Sequence, residues 1–180
     1  MNMFFALWPD DNTRTRVAEA AAVLRLGGDV RFAPRQNYHL TLAFVGAVEE
    51  SDLAVLQQIG RAQRGTACTI RFDAYDYWPE PRVVVALARE PPPALTLLWT
   101  RLQQDLTRCQ SFQNRLRLHA ALRVHVTLAR KVAQAPVLQA MSPICWNARS
   151  FSLVRSDPRS THSAYTVVDT WPLLDETAKQ

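Results

Sequence analysis

The chain has 180 residues, 48% of them apolar and 21% charged, with a formal net charge of +5. That length and balance suit a folded globular protein that buries a core as one domain or two closely packed lobes, and they exclude a disordered or fibrous chain. No apolar run approaches the roughly 20 residues needed to cross a bilayer, and the opening MNMFFALWPDD has no basic leader, so neither a membrane span nor a signal peptide is expected.

MNMFFALWP reads as a first strand, apolar on both faces and closed by Pro9. A helix follows over DDNTRTRVAEAAAVLRLGG. Asp10 to Thr13 offer N-caps, Val17, Ala20, Ala21 and Leu24 recur at helical spacing, and Gly27-Gly28 stop it. YHLTLAFVG is a strand ended by Gly46, and ESDLAVLQQIGRAQ is a second helix with Ser51 or Asp52 as its cap. ACTIRFDAYDYWP and RVVVALARE are strands joined through a turn at Pro79 and Pro81. PPPALTLLWTRLQQDLTRCQ begins on prolines and repeats Leu95, Leu98, Leu102 and Leu106 along one stripe, the pattern of a helix lying on a sheet. LRVHVTLARKV is another strand, followed by a loop around Pro136 and Pro143, and ARSFSLVRS with AYTVVDTWPL makes a last strand pair. Strands and helices mix without steady βα alternation, which argues for an α+β fold with mostly antiparallel sheets.

Nineteen of the 21 basic residues are arginine, whose guanidinium fork matches phosphate oxygens, although a cationic balance speaks of partners only weakly. Cys68, Cys109 and Cys145 are odd in number, widely spaced and outside any CxxC. Neither a disulfide framework nor a zinc site is suggested, and a reducing, cytoplasmic setting is expected. The five glycines build no phosphate-cradling loop, and there is no G-x-S-x-G elbow, which disfavours nucleoside triphosphate chemistry and a serine nucleophile.

The chemistry lies in a repeat. His39-Leu40-Thr41-Leu42 and His125-Val126-Thr127-Leu128 stand 86 positions apart, nearly half the chain. On a strand, side chains alternate faces, so His39 and Thr41 share one face while Leu40 and Leu42 take the other; the second copy repeats the pattern. One His-x-Thr is a weak signal, compatible with an ordinary amphipathic strand; two copies, each in an apolar strand, point to a shared site. Threonine is a poor metal ligand, and no Asp, Glu or Cys joins the pattern. Two imidazoles can instead take a proton from water and deliver one to a departing alkoxide, the requirement of phosphodiester hydrolysis without a metal. Two threonine hydroxyls can donate to the non-bridging oxygens, and Arg130, two residues beyond Leu128, could strengthen that role.

At these residues the sequence resembles the two-histidine phosphoesterase superfamily and, more narrowly, the bacterial and archaeal RNA 2′,3′-cyclic phosphodiesterases, also called 2′-5′ RNA ligases. The resemblance rests on HLTLAFVG and HVTLAR, supported by the opening FFALWP and a tail of the form FSLVRS…Y…WPL, and it covers most of the chain. It implies a bilobal α+β fold of residues 1–180 with two mostly antiparallel sheets, helices on their outer faces, and a central cleft between pseudo-symmetric lobes. Each lobe would contribute one motif, 39–42 and 125–128. It further implies that His39 is the proton donor and His125 the proton acceptor, with Thr41, Thr127 and Arg130 holding the phosphate. No cofactor and no metal are implied. The expected partners are RNA ends or small cyclic-phosphate nucleotides, with no membrane and no obligate protein partner, the protein acting as a monomer. The sequence departs from the family in having Val124, not proline, before His125, and in having THSA ahead of Tyr165 where glycine is common.

Two alternatives stay open on sequence grounds. One keeps the mechanism with a cyclic nucleotide, a 2′-5′ oligonucleotide or ADP-ribose cyclic phosphate as substrate; the other is a non-catalytic RNA-binding module. Arg115, Arg117 and Arg123 could track an RNA backbone, and Tyr38, Phe44, Tyr75, Tyr77 and Trp78 could stack on a base, with core packing the competing use. His119 and His162 lack a threonine partner and read as surface residues.

Overall fold

The computed structural model describes residues 1–112, 121–157 and 165–175. The apolar N-terminal run becomes β1 (Asn2–Leu7), buried from Met3 to Leu7. Asp10 caps α1 (Asp11–Ala22): its carboxylate accepts the Thr13 backbone N–H at 2.8 Å and the Thr13 hydroxyl at 3.0 Å. The helix turns Val17 and Ala21 inward and ends before Gly27-Gly28. An i→i+3 bond from the Leu24 N–H to the Ala21 carbonyl closes it, and Gly28, at φ 85, serves the following loop instead.

A two-residue strand, β2 (Arg31–Phe32), precedes β3 (Leu40–Ala47). α2 (Leu53–Ala62) is entered through a short 3-10 turn, Glu50–Asp52. The turn is fixed by a capping box in which Glu49 and Asp52 satisfy each other's backbone N–H, and Asp52, not Ser51, stands at the N-cap position of α2. The segment ACTIRFDAYDYWP is not one strand. It breaks at Asp73 into β4 (Cys68–Phe72) and β5 (Ala74–Trp78), because the two halves pair with different partners. β6 (Val83–Leu87) and α3 (Pro93–Arg108) follow, and Leu95, Leu98, Leu102 and Leu106 form the buried stripe of α3.

β7 (His125–Arg130) carries the second motif. The expected loop stops at Pro143, where β8 (Ile144–Ala148) begins with Ile144, Trp146 and Ala148 inward. β9 (Ser150–Ser156) and β10 (Tyr165–Pro172) complete the chain.

One sheet has the order β10-β9-β1-β3, a second β2-β7-β6-β5, and β4 pairs with β8 as a two-stranded ribbon; all these named strand pairs are antiparallel. The ribbon ties the sheets together, since β4 runs on into β5 of the second and β8 into β9 of the first. α2 packs on β9 and β10, α3 on β3, and α1 beside β7 and β8. Residues of both sheets and all three helices join in one continuous apolar cluster. At roughly 1.5–3 kcal/mol for each fully buried large apolar side chain, that shared core holds the two sheets at a fixed separation. No described helix is long and apolar enough to cross a membrane.

Two consequences position the motifs. β3 is the edge of the first sheet. β2 covers only Ala129 and Arg130 of β7, so His125 to Thr127 lie on a stretch of β7 with one open side. The strands approach each other there, each with its His-x-Thr face turned to the gap.

Candidate active site

Both imidazoles are anchored alike. His39 Nδ1 lies 2.6 Å from the carbonyl of Asn37, and His125 Nδ1 lies 2.6 Å from the carbonyl of Arg123, in each case two residues upstream. A carbonyl has no proton to give, so Nδ1 carries the hydrogen and, in the neutral ring, Nε2 is the nitrogen with a lone pair. The anchor fixes both tautomer and ring orientation.

The site side chains divide crosswise between two cavities. His39, Thr127 and Arg130 line one of about 290 Å³, together with Asn37 and Tyr165. His125 and Thr41 line a second of about 120 Å³. Each imidazole thus shares a cavity with the threonine of the other motif, so all five residues expected from sequence meet across the β3–β7 gap. Neither threonine hydroxyl nor the Arg130 guanidinium has a partner among the described residues. A larger cavity of about 530 Å³ lies between β4, β8 and the start of α3, and contains neither motif; size does not select the site.

Arg130 reaches this position through a backbone irregularity. It is three residues beyond Thr127, and regular alternation would turn it to the opposite face. Val84 pairs with Ala129 and Val85 with Thr127, leaving Leu128 as an unpaired bulge residue. Leu128 and Ala129 are both buried, and Arg130 returns to the cleft side. The first motif has the same device: Phe5 pairs with Ala43 and Ala6 with Thr41, Leu42 is the bulge, Leu42 and Ala43 are buried, and Phe44 emerges beside Thr41. The six-residue units His-x-Thr-Leu-Ala-Phe and His-x-Thr-Leu-Ala-Arg are therefore equivalent in backbone as well as in letters. The Leu-Ala doublet interrupting the alternation in both copies was the available signal.

The surroundings of the two histidines differ. The ring of Trp8 stacks on His39 at 5.3 Å and 9°, with Phe4 at 5.2 Å and Tyr165 edge-on at 4.9 Å. Burial in that cage, aided by the nearby charges of Arg130 and His125 and opposed by the Asn37 carbonyl, pushes the His39 imidazole down from 6.5 to about 4. His125 meets the ring of Trp78 at 4.5 Å.

Sequence reasoning missed Trp8 and Trp99, the latter a lining residue of the smaller cavity, and gave Tyr165 no place in the site. Of the tyrosines considered for base stacking, Tyr38 is buried, while Tyr75 and Tyr77 donate their hydroxyls to the Ala20 and Val132 carbonyls, which makes them structural. Phe44 and Trp78 do line the smaller cavity. Arg123 is held by Asp76 at 3.1 Å; Arg115, Arg117, His119 and His162 lie outside the described residues.

This two-sheet α+β scaffold with a motif strand on each side of the gap is a phosphoesterase fold. A solved structure described as a phosphoesterase superposes with a TM-score of 0.83 at 25% identity, over 96% of this chain and 98% of the other. The chain belongs to the 2′-5′ RNA ligase superfamily, whose model matches residues 9–159. It is 29% identical over 139 residues, 76% of each chain, to the RNA 2′,3′-cyclic phosphodiesterase of Escherichia coli K12. Its identity to the protein of that name from Thermus thermophilus is 27%, over 100% of this chain and 94% of the relative.

Proposed function

We propose that the protein hydrolyses RNA 2′,3′-cyclic phosphodiester ends to 2′-phosphomonoesters, acting as a single bilobal domain and a monomer in the cytoplasm. The observation that carries this reading is the matched pair of imidazoles, each with Nδ1–H tied to a carbonyl two residues upstream, on facing strands and each sharing a cavity with a threonine. The activity named for both relatives supports the substrate class.

In this scheme His125 Nε2 takes a proton from water as its oxygen bonds to phosphorus. The bond from phosphorus to O3′ breaks, and His39 Nε2 gives its proton to that oxygen. Thr41, Thr127 and Arg130 hold the non-bridging oxygens, where charge accumulates. Both proton transfers come from side chains, so the chemistry calls for no metal. A phosphodiester anion between Arg130 and His39 offsets the repulsion on the imidazolium and draws a proton onto His39, which burial alone disfavours. By microscopic reversibility, a 5′-hydroxyl in place of water would yield a 2′-5′ bond.

The test is an oligonucleotide ending in a 2′,3′-cyclic phosphate, incubated with the protein and a chelator and followed by phosphorus NMR. The 2′-phosphate should form, with a loss of about 10²-fold or more in His39→Ala and in His125→Ala. A 3′-phosphate product, or full activity in either variant, rejects the scheme. Adenosine 2′,3′-cyclic phosphate and ADP-ribose cyclic phosphate as competitors separate RNA ends from smaller substrates.

A further inference from the structure

The two histidines share one kind of backbone anchor but not one environment. His39 sits among aromatic rings, whereas His125 meets Trp78 at 4.5 Å, and that ring belongs to a charged network. A single carboxylate oxygen, Oδ2 of Asp76, accepts two hydrogen bonds: from Trp78 Nε1–H at 2.6 Å and from the Arg123 guanidinium at 3.1 Å. The guanidinium lies 3.8 Å from the centre of the Trp78 ring, and the Arg123 carbonyl accepts Nδ1–H of His125 at 2.6 Å. Two groups meet the His125 ring here, an indole and a carbonyl, and both belong to residues that Asp76 holds. The sequence makes this possible locally. Asp76 and Trp78 are two apart on β5 and project from one face, and Arg123 stands two residues ahead of His125, just before β7 begins.

An exposed ion pair contributes little by itself. This one bears on the charge that His125 acquires when it takes a proton. Among the described residues lining its cavity, Arg123 alone carries a permanent charge, and that charge is positive. An uncompensated guanidinium opposes protonation of a nearby imidazole. Across the gap, His39 adds to the opposition only when it is itself charged, and Arg130 lines the other cavity. Asp76 on β5 supplies the compensating negative charge. Resting on the reading of His125 as the proton acceptor, we propose that Asp76 is a positioning residue for that base. Through Trp78 and Arg123 it orients the His125 imidazole and offsets the positive charge beside it, without touching the substrate.

The experiment joins a titration that needs no turnover to kinetics, both on the full chain. The Cε1–H proton resonance of His125, identified by its loss in His125→Gln, is followed by NMR against pH. Asp76→Asn should lower the His125 midpoint by roughly half a unit, the effect of removing one nearby, partly screened charge. On an oligonucleotide ending in a 2′,3′-cyclic phosphate, the same variant should lose about tenfold in kcat with KM changed by less than about twofold. Asp76→Glu should restore most of both. The Asp76 side chain is 38% exposed, so these replacements open no buried cavity. Trp78→Phe keeps a ring beside His125 but deletes the Nε1–H. Combined with Asp76→Asn, it should cost less than the product of the two single losses, because both break one network. An unmoved midpoint in Asp76→Asn, a loss that Asp76→Glu leaves unrestored, or single losses that simply multiply each overturn the positioning role and leave the hydrolytic function standing. A wild type that turns over no cyclic phosphate overturns that function, while the His125 midpoint still decides whether Asp76 sets the charge beside the ring.

Discussion

Around His39 the three rings of Phe4, Trp8 and Tyr165 displace much of the surrounding water, and the imidazole holds a proton only below about pH 4. In the proposed role of proton donor, His39, neutral in the free protein at pH 7, would acquire its proton with the substrate, and kinetics can separate the two states. The pH profile of kcat/KM reports the free protein and that of kcat the complex. The lower inflection of the histidine pair should therefore fall near pH 4 in kcat/KM and at clearly higher pH in kcat. Coincident inflections near 6.5 in both would mean that the cage does not perturb His39. The apparent values belong to the pair, so the assignment is completed by repeating the profile with His39→Ala residual activity. The sequence made the two histidines and two threonines legible because the motif is doubled. It did not show the cage: Trp8 follows β1 and Tyr165 opens β10, and only the pairing of β1 with both β3 and β9, and of β9 with β10, brings them to His39.

Strands and helices were readable wherever one period ran unbroken. The leucine stripe of α3 and the apolar β1 are examples; reading failed where the partner changes along a run. Asp73 splits an apparently continuous strand because β4 belongs with β8 and β5 with β6, a fact about distant segments. β8 itself was hidden behind Pro143, although its Ile-x-Trp-x-Ala alternation is plain once the prolines are set aside. Docking of α2 on β10 turns on one small residue. A Cβ at Gly60 would lie 2.3 Å from the ring of Trp171, which is wedged between Phe5 and Phe151 at centroid distances of 6.1 and 5.2 Å. Gly60→Ala should therefore lower stability by about 1–3 kcal/mol, the usual cost of overpacking. The gain in helix propensity of about 1 kcal/mol works against that loss but is the smaller effect. Urea unfolding measures the net change; a more stable variant would show that Trp171 has room to give way.

Neither sheet is one half of the chain. The first takes β1 and β3 from the N-terminal half and β9 and β10 from the C-terminal end, while the second sets β7 beside β2, β5 and β6. The spacing of the motifs hinted at two-fold character but not at this interleaving, because strand order is decided by pairings that no local pattern encodes. Interleaving around one core means that the site and the fold are lost together, and this gives the whole molecule a pH signature. His39 titrates near 6.5 when unfolded and near 4 when folded. Between those values the unfolded chain binds the extra proton, so stability rises with pH across the window and falls as the solution is acidified from 6.5 to 4. The full shift corresponds to at most about 3 kcal/mol at 1.36 kcal/mol per unit. Asp10 is held below the ordinary carboxylate value of 3.8, chiefly by the Thr13 backbone N–H. Asp73 also lies below 3.8: desolvation acts to raise it, but the hydrogen bonds and charge of Arg89 together outweigh that. The contribution of both carboxylates is therefore lost only in more acid solution. Burial raises Tyr38, Tyr75 and Cys68, which titrate on the alkaline side. The difference in unfolding free energy between wild type and His39→Gln, followed from pH 7 to pH 4, should change by up to about 3 kcal/mol in favour of the variant as the wild type takes up its proton. Parallel curves for the two proteins over that range would place the folded His39 near its unfolded value and remove the buried-donor account of the site.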